Sequence, residues 1–260
     1  MSDDTQNAES HRDDEFYTGY LPEAPTGIAR HIRKSVTLAF VVVAAAAALV
    51  AFAQRPFAVA FFEFGNLRTF EGVIEVEPAP ILRVDRPAGQ GASRYLLVGE
   101  FKHGADDQVR GLHGRPVKLE GTLVHRDDQT MIEVVAGSVQ EQPGRSDSQR
   151  TQSRRLGIQT LRGEIVDSKC HYGVMKPGDF KPHRACATLC IRGGIPPVFV
   201  VRNEEGRPLR HLLLVGSDGR GLHQEVLPFV ADPLEITGEV RRQGDLWILA
   251  AEPDDFRRLD

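Results

Sequence analysis

Between positions 167 and 194 the chain reads DSKCHYGVMKPGDFKPHRACATLCIRGG, and this segment carries all three of its cysteines, Cys170, Cys186 and Cys190. His171 and His183 lie among them. Thiolate sulfur and imidazole nitrogen form ligand sets for zinc, copper or iron, and Cys3His is a set that suits tetrahedral zinc. The stretch FKPHRACATLCIR reads as a helix. Asp179 stands at the capping position, Pro182 falls in the first turn, and Gly193-Gly194 ends it. On that helix His183, Cys186 and Cys190 occupy i, i+3 and i+7 and share one face. The loop containing Gly173, Pro177 and Gly178 can return Cys170 to that face. The expected ligands are Cys170, His183, Cys186 and Cys190, with His171 as a spare beside Cys170 and Met175 as a further soft donor toward Cu(I).

The same residues admit other chemistries. In an oxidising compartment Cys170 can bridge to Cys186 or Cys190, stapling the inserted helix; Cys186 with Cys190 is the poorest pair, because i and i+4 thiols of one helix seldom reach disulfide geometry. Cys186 also lies one turn from His183, as a reactive thiolate would. No oxyanion-hole motif, nucleophile elbow or orienting acid accompanies it, so a hydrolase is not expected, while a redox-active thiol stays open. The spacing His-x2-Cys-x3-Cys differs from the zinc-knuckle Cys-x2-Cys, from the covalent haem motif and from the Rieske pairing.

The elements that position this segment form two similar runs. Thr69-Phe70-Glu71-Gly72-Val73-Ile74 resembles Thr160-Leu161-Arg162-Gly163-Glu164-Ile165, and Pro116-Val117-Lys118-Leu119-Glu120-Gly121 resembles Pro233-Leu234-Glu235-Ile236-Thr237-Gly238. Tyr95-Leu96-Leu97-Val98-Gly99 likewise matches His211 to Gly216, and each run ends on an apolar strand, MIEVV at 131–135 and LWILA at 246–250. Gly72 to Gly121 spans 49 positions and Gly163 to Gly238 spans 75, with nearly all the excess before the LLLV strand. The cysteine segment, 168–195, is thus an insertion in the second run. Each run reads as five short strands with turns between them and a short helical stretch before the fourth, Leu222 to Val230 in the second run, which resembles an OB-like Greek-key barrel.

Ahead of both runs lies VTLAFVVVAAAAALVAFA, residues 36–53, without a charge. As a helix it would be about 27 Å long, close to one hydrocarbon core. Arg30, His31, Arg33 and Lys34 precede it, which places the N-terminus in the cytoplasm and the bulk outside. Ala51-Phe52-Ala53 would also fit a signal cleavage site, but the long polar lead and the length of the apolar run favour a retained anchor; both readings export residues 55–260. The expected organisation is a disordered cytoplasmic tail over 1–34, an anchor over 35–54, OB-like domains over 66–139 and 158–254, and a polar linker over 140–157. The fold class is mainly β: one N-terminal transmembrane helix, then two tandem OB-like small β-barrels, the second bearing the Cys/His helical insertion. A net charge of −4 and 7% aromatic residues argue against nucleic acid as a partner, because neither barrel interleaves basic and aromatic residues.

Cys170, then His183-x2-Cys186-Ala187-x2-Cys190-Ile191-x-Gly193-Gly194-x-Pro196, resembles a motif of bacterial exported or membrane-anchored proteins with OB-like domains. The resemblance covers about 30 residues and implies a family pattern without an assigned activity. The anchored, exported OB barrel is also similar in outline to the haem chaperone of cytochrome c maturation, although that protein's histidine attachment motif is not evident here. The expected protein sits in a bacterial inner membrane with its bulk in the periplasm. It binds a zinc, copper or iron ion as an accessory or electron-transfer component of a redox system, with a membrane or periplasmic protein as partner. The alternatives are a non-catalytic docking scaffold with a structural disulfide, and a haem or metal chaperone.

Overall fold

The computed structural model describes residues 25–53, 60–87, 91–144 and 153–259. Most of the expected N-terminal tail lies outside the described residues. Helix α1 runs Thr26–Ala53 and is apolar and long enough to cross a membrane. It begins inside the expected tail and takes in the basic residues Arg30, Arg33 and Lys34. The reason is cooperative: once the apolar span is helical, each added residue gains a backbone hydrogen bond without a new nucleus.

The remaining elements form two closed five-stranded barrels. In the first, β2 (Arg68–Glu75), β3 (Ile81–Asp85), β4 (Ala92–Val98), β5 (Pro116–Arg126) and β6 (Gln129–Val134) are ordered β5-β2-β3-β4-β6, and β6 returns to β5. β1 (Ala60–Phe62) and β7 (Gln140–Glu141) add to β5. In the second, β8 (Ser153–Asp167), β9 (Pro197–Arg202), β10 (Pro208–Val215), β11 (Leu234–Gln243) and β12 (Leu246–Ala250) repeat that order, with β13 (Phe256–Arg258) on β11. Third and fifth strands run parallel in both: Leu97 faces Ile132, and Leu214 faces Leu249. This is the OB strand order.

The registers also coincide. Gly72 pairs with Val117 and Gly163 with Leu234. Each glycine lies where a Cβ would overlap a carbonyl of the next strand, Arg83 and Val200 respectively, so the first strand can bend around the barrel only with glycine there. The short helix before the fourth strand is α2 (Asp106–Val109) in the first barrel. In the second, the helical stretch expected over 222–230 shrinks to one 3-10 turn, Leu227–Phe229. Pro228 has no N–H to extend it, and Ala231 turns back with φ 60. The expected linker is short: β7 ends at Glu141 and β8 starts at Ser153, with 145–152 outside the described residues.

Three apolar cores follow from strand alternation. Ile74, Leu82, Leu97, Leu119 and Ile132 fill the first barrel. Ile165, Phe199, Leu212, Leu214 and Leu249 fill the second, under Ala187 and Ile191 of the inserted helix. Some outward residues do not face water either. Leu96, Val98, Val124 and Met131 pack against Val198, Val200, Leu213, Val215 and Ile248 in a third core between the barrels. This explains why YLLVG and HLLLVG are unbroken apolar runs: both faces of these strands are buried.

Helix α3 (Phe180–Arg192) and the wide helical turn Cys170–Val174 connect β8 to β9. The inserted segment is pinned to the first barrel by Lys169, which is 2% exposed. Its ammonium donates to the carbonyls of Gly99 (2.8 Å) and Phe101 (2.7 Å) and pairs with Glu133. Replacing Lys169 with Met should lower stability by about 3–5 kcal/mol, since one partner of a buried ion pair is removed. Thermal unfolding of the full chain in detergent, followed by circular dichroism, checks this; an unchanged midpoint would contradict the role.

Candidate metal centre

Asp167 is the last residue of β8 and is 0% exposed. Its Oδ1 accepts the Cys170 N–H at 2.8 Å, the geometry of a helix N-cap that sets the direction of the following turn. Its Oδ2 lies 3.0 Å from His183 Nε2. Asp167 thereby holds Cys170 by its backbone and His183 by its ring. With Nε2–H donated to the carboxylate, the lone pair of His183 is on Nδ1, which is the nitrogen left for a metal.

The start of α3 is fixed differently from the expectation. Asp179 occupies the N-cap position but makes no side-chain cap. Its carboxylate pairs with Arg202 at 2.8 Å, and Glu164 of β8 accepts the Phe180 N–H at 2.9 Å. Burial pushes the Glu164 carboxyl up, while the Arg202 guanidinium opposes that shift. The C-terminal end stops at Gly193, whose N–H reaches the carbonyl of Leu189, and at Gly194 with φ 95. A Cβ on Gly193 would overlap the Lys102 carbonyl. Glycine is therefore required there for contact with the first barrel, whose Gly104 N–H donates to Gly193 O at 2.8 Å.

The ligand atoms of Cys170, His183 and Cys186 lie within 4.8 Å of one another, and so do those of Asp167, Cys170 and Cys190. Cys170 belongs to both groups. All three cysteines are free thiols, with Cys170 and Cys190 Sγ 3.9 Å apart. Two thiolates on one tetrahedral ion at about 2.3 Å stand roughly 3.8 Å apart, so this spacing fits a shared ion.

His171 does not join the thiols. Its Nε2 lies 3.1 Å from His211 Nε2 of β10. Adjacent residues of a helical turn point about 100° apart, so once Cys170 faces α3, His171 must face elsewhere. Met175 is exposed and belongs to neither ligand group. Both imidazoles of the histidine pair are held neutral by burial first and then by the Arg126 guanidinium; His211 is pushed down to about 4. One ring therefore donates to the other's lone pair.

The first barrel contributes a residue the sequence did not mark. Lys102 Nζ lies 2.8 Å from Cys186 Sγ and 3.6 Å from Cys190 Sγ. The hydrogen bond to Cys186 pushes the Lys102 ammonium pKa upward, despite burial that opposes it. In the thiol pair, the hydrogen bond to Cys190 and burial push Cys170 up, whereas the bond from Cys170, assisted by Lys102, pulls Cys190 down. Cys170 keeps its proton and donates it toward a Cys190 thiolate. Three thiolates with a divalent ion would carry one net negative charge, which the Lys102 ammonium cancels, so a loaded site could remain buried. A capping signal was available for Asp167, three residues before Cys170. Lys102, 84 positions from Cys186, had no local signal.

Two outcomes are expected. Lys102→Met should raise the pH midpoint for alkylation of Cys190, because its thiolate loses a counter-charge; pH-dependent iodoacetamide labelling read by peptide mass spectrometry measures this. For His211, the unfolded ring takes up a proton near pH 6.5 and the folded ring near 4. Between those values the unfolded state binds more protons, so stability falls as pH falls, by up to about 3 kcal/mol. Urea unfolding across that window should show the loss, and His211→Asn should flatten it. No protein-family model matches the chain, and no curated protein matches its sequence.

Proposed function

We propose that this chain is a membrane-anchored metal-binding protein whose two barrels lie on the exported, periplasmic side, serving as an accessory or electron-transfer component of a redox system. The observation that carries the reading is the Asp167–His183 hydrogen bond beside Cys170 and Cys186. A carboxylate that fixes the far nitrogen of a histidine is the usual outer support of a metal ligand. A ring nitrogen of His183 lies within 4.8 Å of the Cys170 and Cys186 sulfurs, with Cys190 adjoining through Cys170. The apolar α1 helix and the basic residues at its start support the anchor and its orientation.

Cys170, Cys186 and His183 would hold the ion, with Cys190 completing a Cys3His set. Such a set suits zinc and also accepts copper or iron. Copper or iron would supply one-electron chemistry at a centre buried between two barrels. Zinc would make the same centre a clamp joining the insertion to itself. The test is elemental analysis of the full chain in detergent, prepared without chelators or affinity metals, together with titration by Co(II). About one equivalent of metal and a thiolate-to-cobalt charge-transfer band are expected, both lost in Cys186→Ser. Asp167→Asn should weaken binding by about 10- to 100-fold while leaving the thiols in place. A chain that retains no metal and gives no thiolate–cobalt band would overturn the reading.

A further inference from the structure

The three thiols differ in what surrounds them. Cys170 and Cys190 are buried in the core between the barrels, with sulfurs 3.9 Å apart and 20 positions apart in sequence. Cys186 is the half-buried one, one helical turn before Cys190, with its sulfur 2.8 Å from the Lys102 ammonium. Thiol–disulfide exchange needs this division of labour: an accessible thiolate beside a cation to receive an oxidant, and a nearby thiol to resolve the mixed disulfide.

We propose that Cys170, Cys186 and Cys190 form a two-electron redox couple that governs occupancy of the metal site: an aliphatic disulfide oxidises Cys170 and Cys190 to a disulfide through Cys186, and the ion is released. The release step rests on the metal-binding reading; the thiol chemistry does not. Cys186 thiolate attacks one sulfur of R–S–S–R. A Cys186–S–S–R bond forms, the R–S–S–R bond breaks, and one RS− leaves. Cys170, whose sulfur lies within 4.8 Å of Cys186, then attacks Cys186 Sγ. The Cys170–Cys186 bond forms, the second RS− leaves, and the Cys170 proton goes with it. The Cys190 thiolate attacks Cys170 Sγ, the Cys170–Cys190 bond forms, the Cys170–Cys186 bond breaks, and Cys186 departs as a thiolate to Lys102; the first RS− takes its proton from solvent. Two cysteine thiols have been oxidised and one external disulfide reduced to two thiols.

The end product follows from geometry. Cys186 and Cys190 share a helix at i and i+4, which disfavours a bridge between them. Cys170 and Cys190 come from different elements and start in contact. The outcome also returns the Cys186 sulfur to its place beside the Lys102 ammonium. A disulfide sulfur is a poor ligand, so oxidation leaves Cys186 and His183, too few donors to retain a tetrahedral ion.

The test uses the full chain in detergent, stripped of metal, reduced, and equilibrated anaerobically with mixtures of glutathione and glutathione disulfide. Alkylation and peptide mass spectrometry then locate each thiol. A Cys170–Cys190 disulfide with Cys186 alkylated is expected, and Cys186→Ser should reach the same disulfide at least about tenfold more slowly. Three alkylated cysteines in a large excess of glutathione disulfide, or a chain that stops as the Cys186 mixed disulfide, would overturn the couple. An unchanged rate in Cys186→Ser would overturn its entry role. Zinc-loaded wild-type chain followed in parallel should lose its ion as the disulfide forms. The stripped protein reports on the thiols whether or not metal binds, so failure of the couple and failure of the metal-binding reading give different results.

Discussion

A buried ammonium organises this molecule. Lys169 sits at the junction of β8 and the insertion, and its hydrogen-bond acceptors all come from the other barrel: two carbonyls of the 99–101 loop and the carboxylate of Glu133. An ammonium removed from water costs several kcal/mol unless it is fully paired. The insertion can therefore bury Lys169 only against the first barrel. That requirement fixes the loop after β4, and the loop carries Lys102. The close backbone contact between Gly104 and Gly193 adds to the same fixation. The cation that faces the thiols is thus delivered by the cation that holds the insertion.

Asp167 works on the other side of the cluster. One carboxylate oxygen begins the turn that presents Cys170, and the other sets the tilt of His183. The strand end, the turn and the helix are tied at a single buried residue, so the relative placement of sulfur and imidazole is preorganised. His171, the neighbour of Cys170, is turned the opposite way by the same geometry and packs with His211 and Tyr172. Two polar clusters of different character therefore lie back to back. One is rich in thiols and has a balancing ammonium; the other is a neutral histidine pair beside Arg126 and Arg202. The guanidiniums make the second a poor place for a cation, whereas the thiolates make the first a good one.

The two barrels share a strand order but put it to different use. OB barrels commonly present the outer face of the second and third strands to a ligand. Here much of that face is buried against the neighbouring barrel, where Leu96 and Val98 meet Leu213 and Val215. The insertion between first and second strands closes one side of this interface. The thiol and histidine cluster thereby lies at the seam and not on an exposed barrel surface.

Much of this was legible in local patterns. The uncharged run 36–53, the paired Gly72 and Gly163, the LLLV strands and the i, i+3, i+7 placement of His183, Cys186 and Cys190 all reflect backbone geometry that acts over a few residues, and such constraints are written into adjacent positions. The turn at Ala231, the use of Glu164 as the cap of α3 and the direction of His171 were not, because each depends on a partner distant in sequence. The assembly of the site is the clearest case. Lys102 is an ordinary surface-type lysine in its own segment, and Asp167 reads as a turn former. The first becomes the partner of a cysteine sulfur and the second the partner of the His183 ring only when the two barrels close on the insertion. Sequence by itself determined the elements and the donor types, since these follow from local spacing. The tertiary structure alone decided which charges face those donors, because burial pairs groups that the chain keeps 84 positions apart.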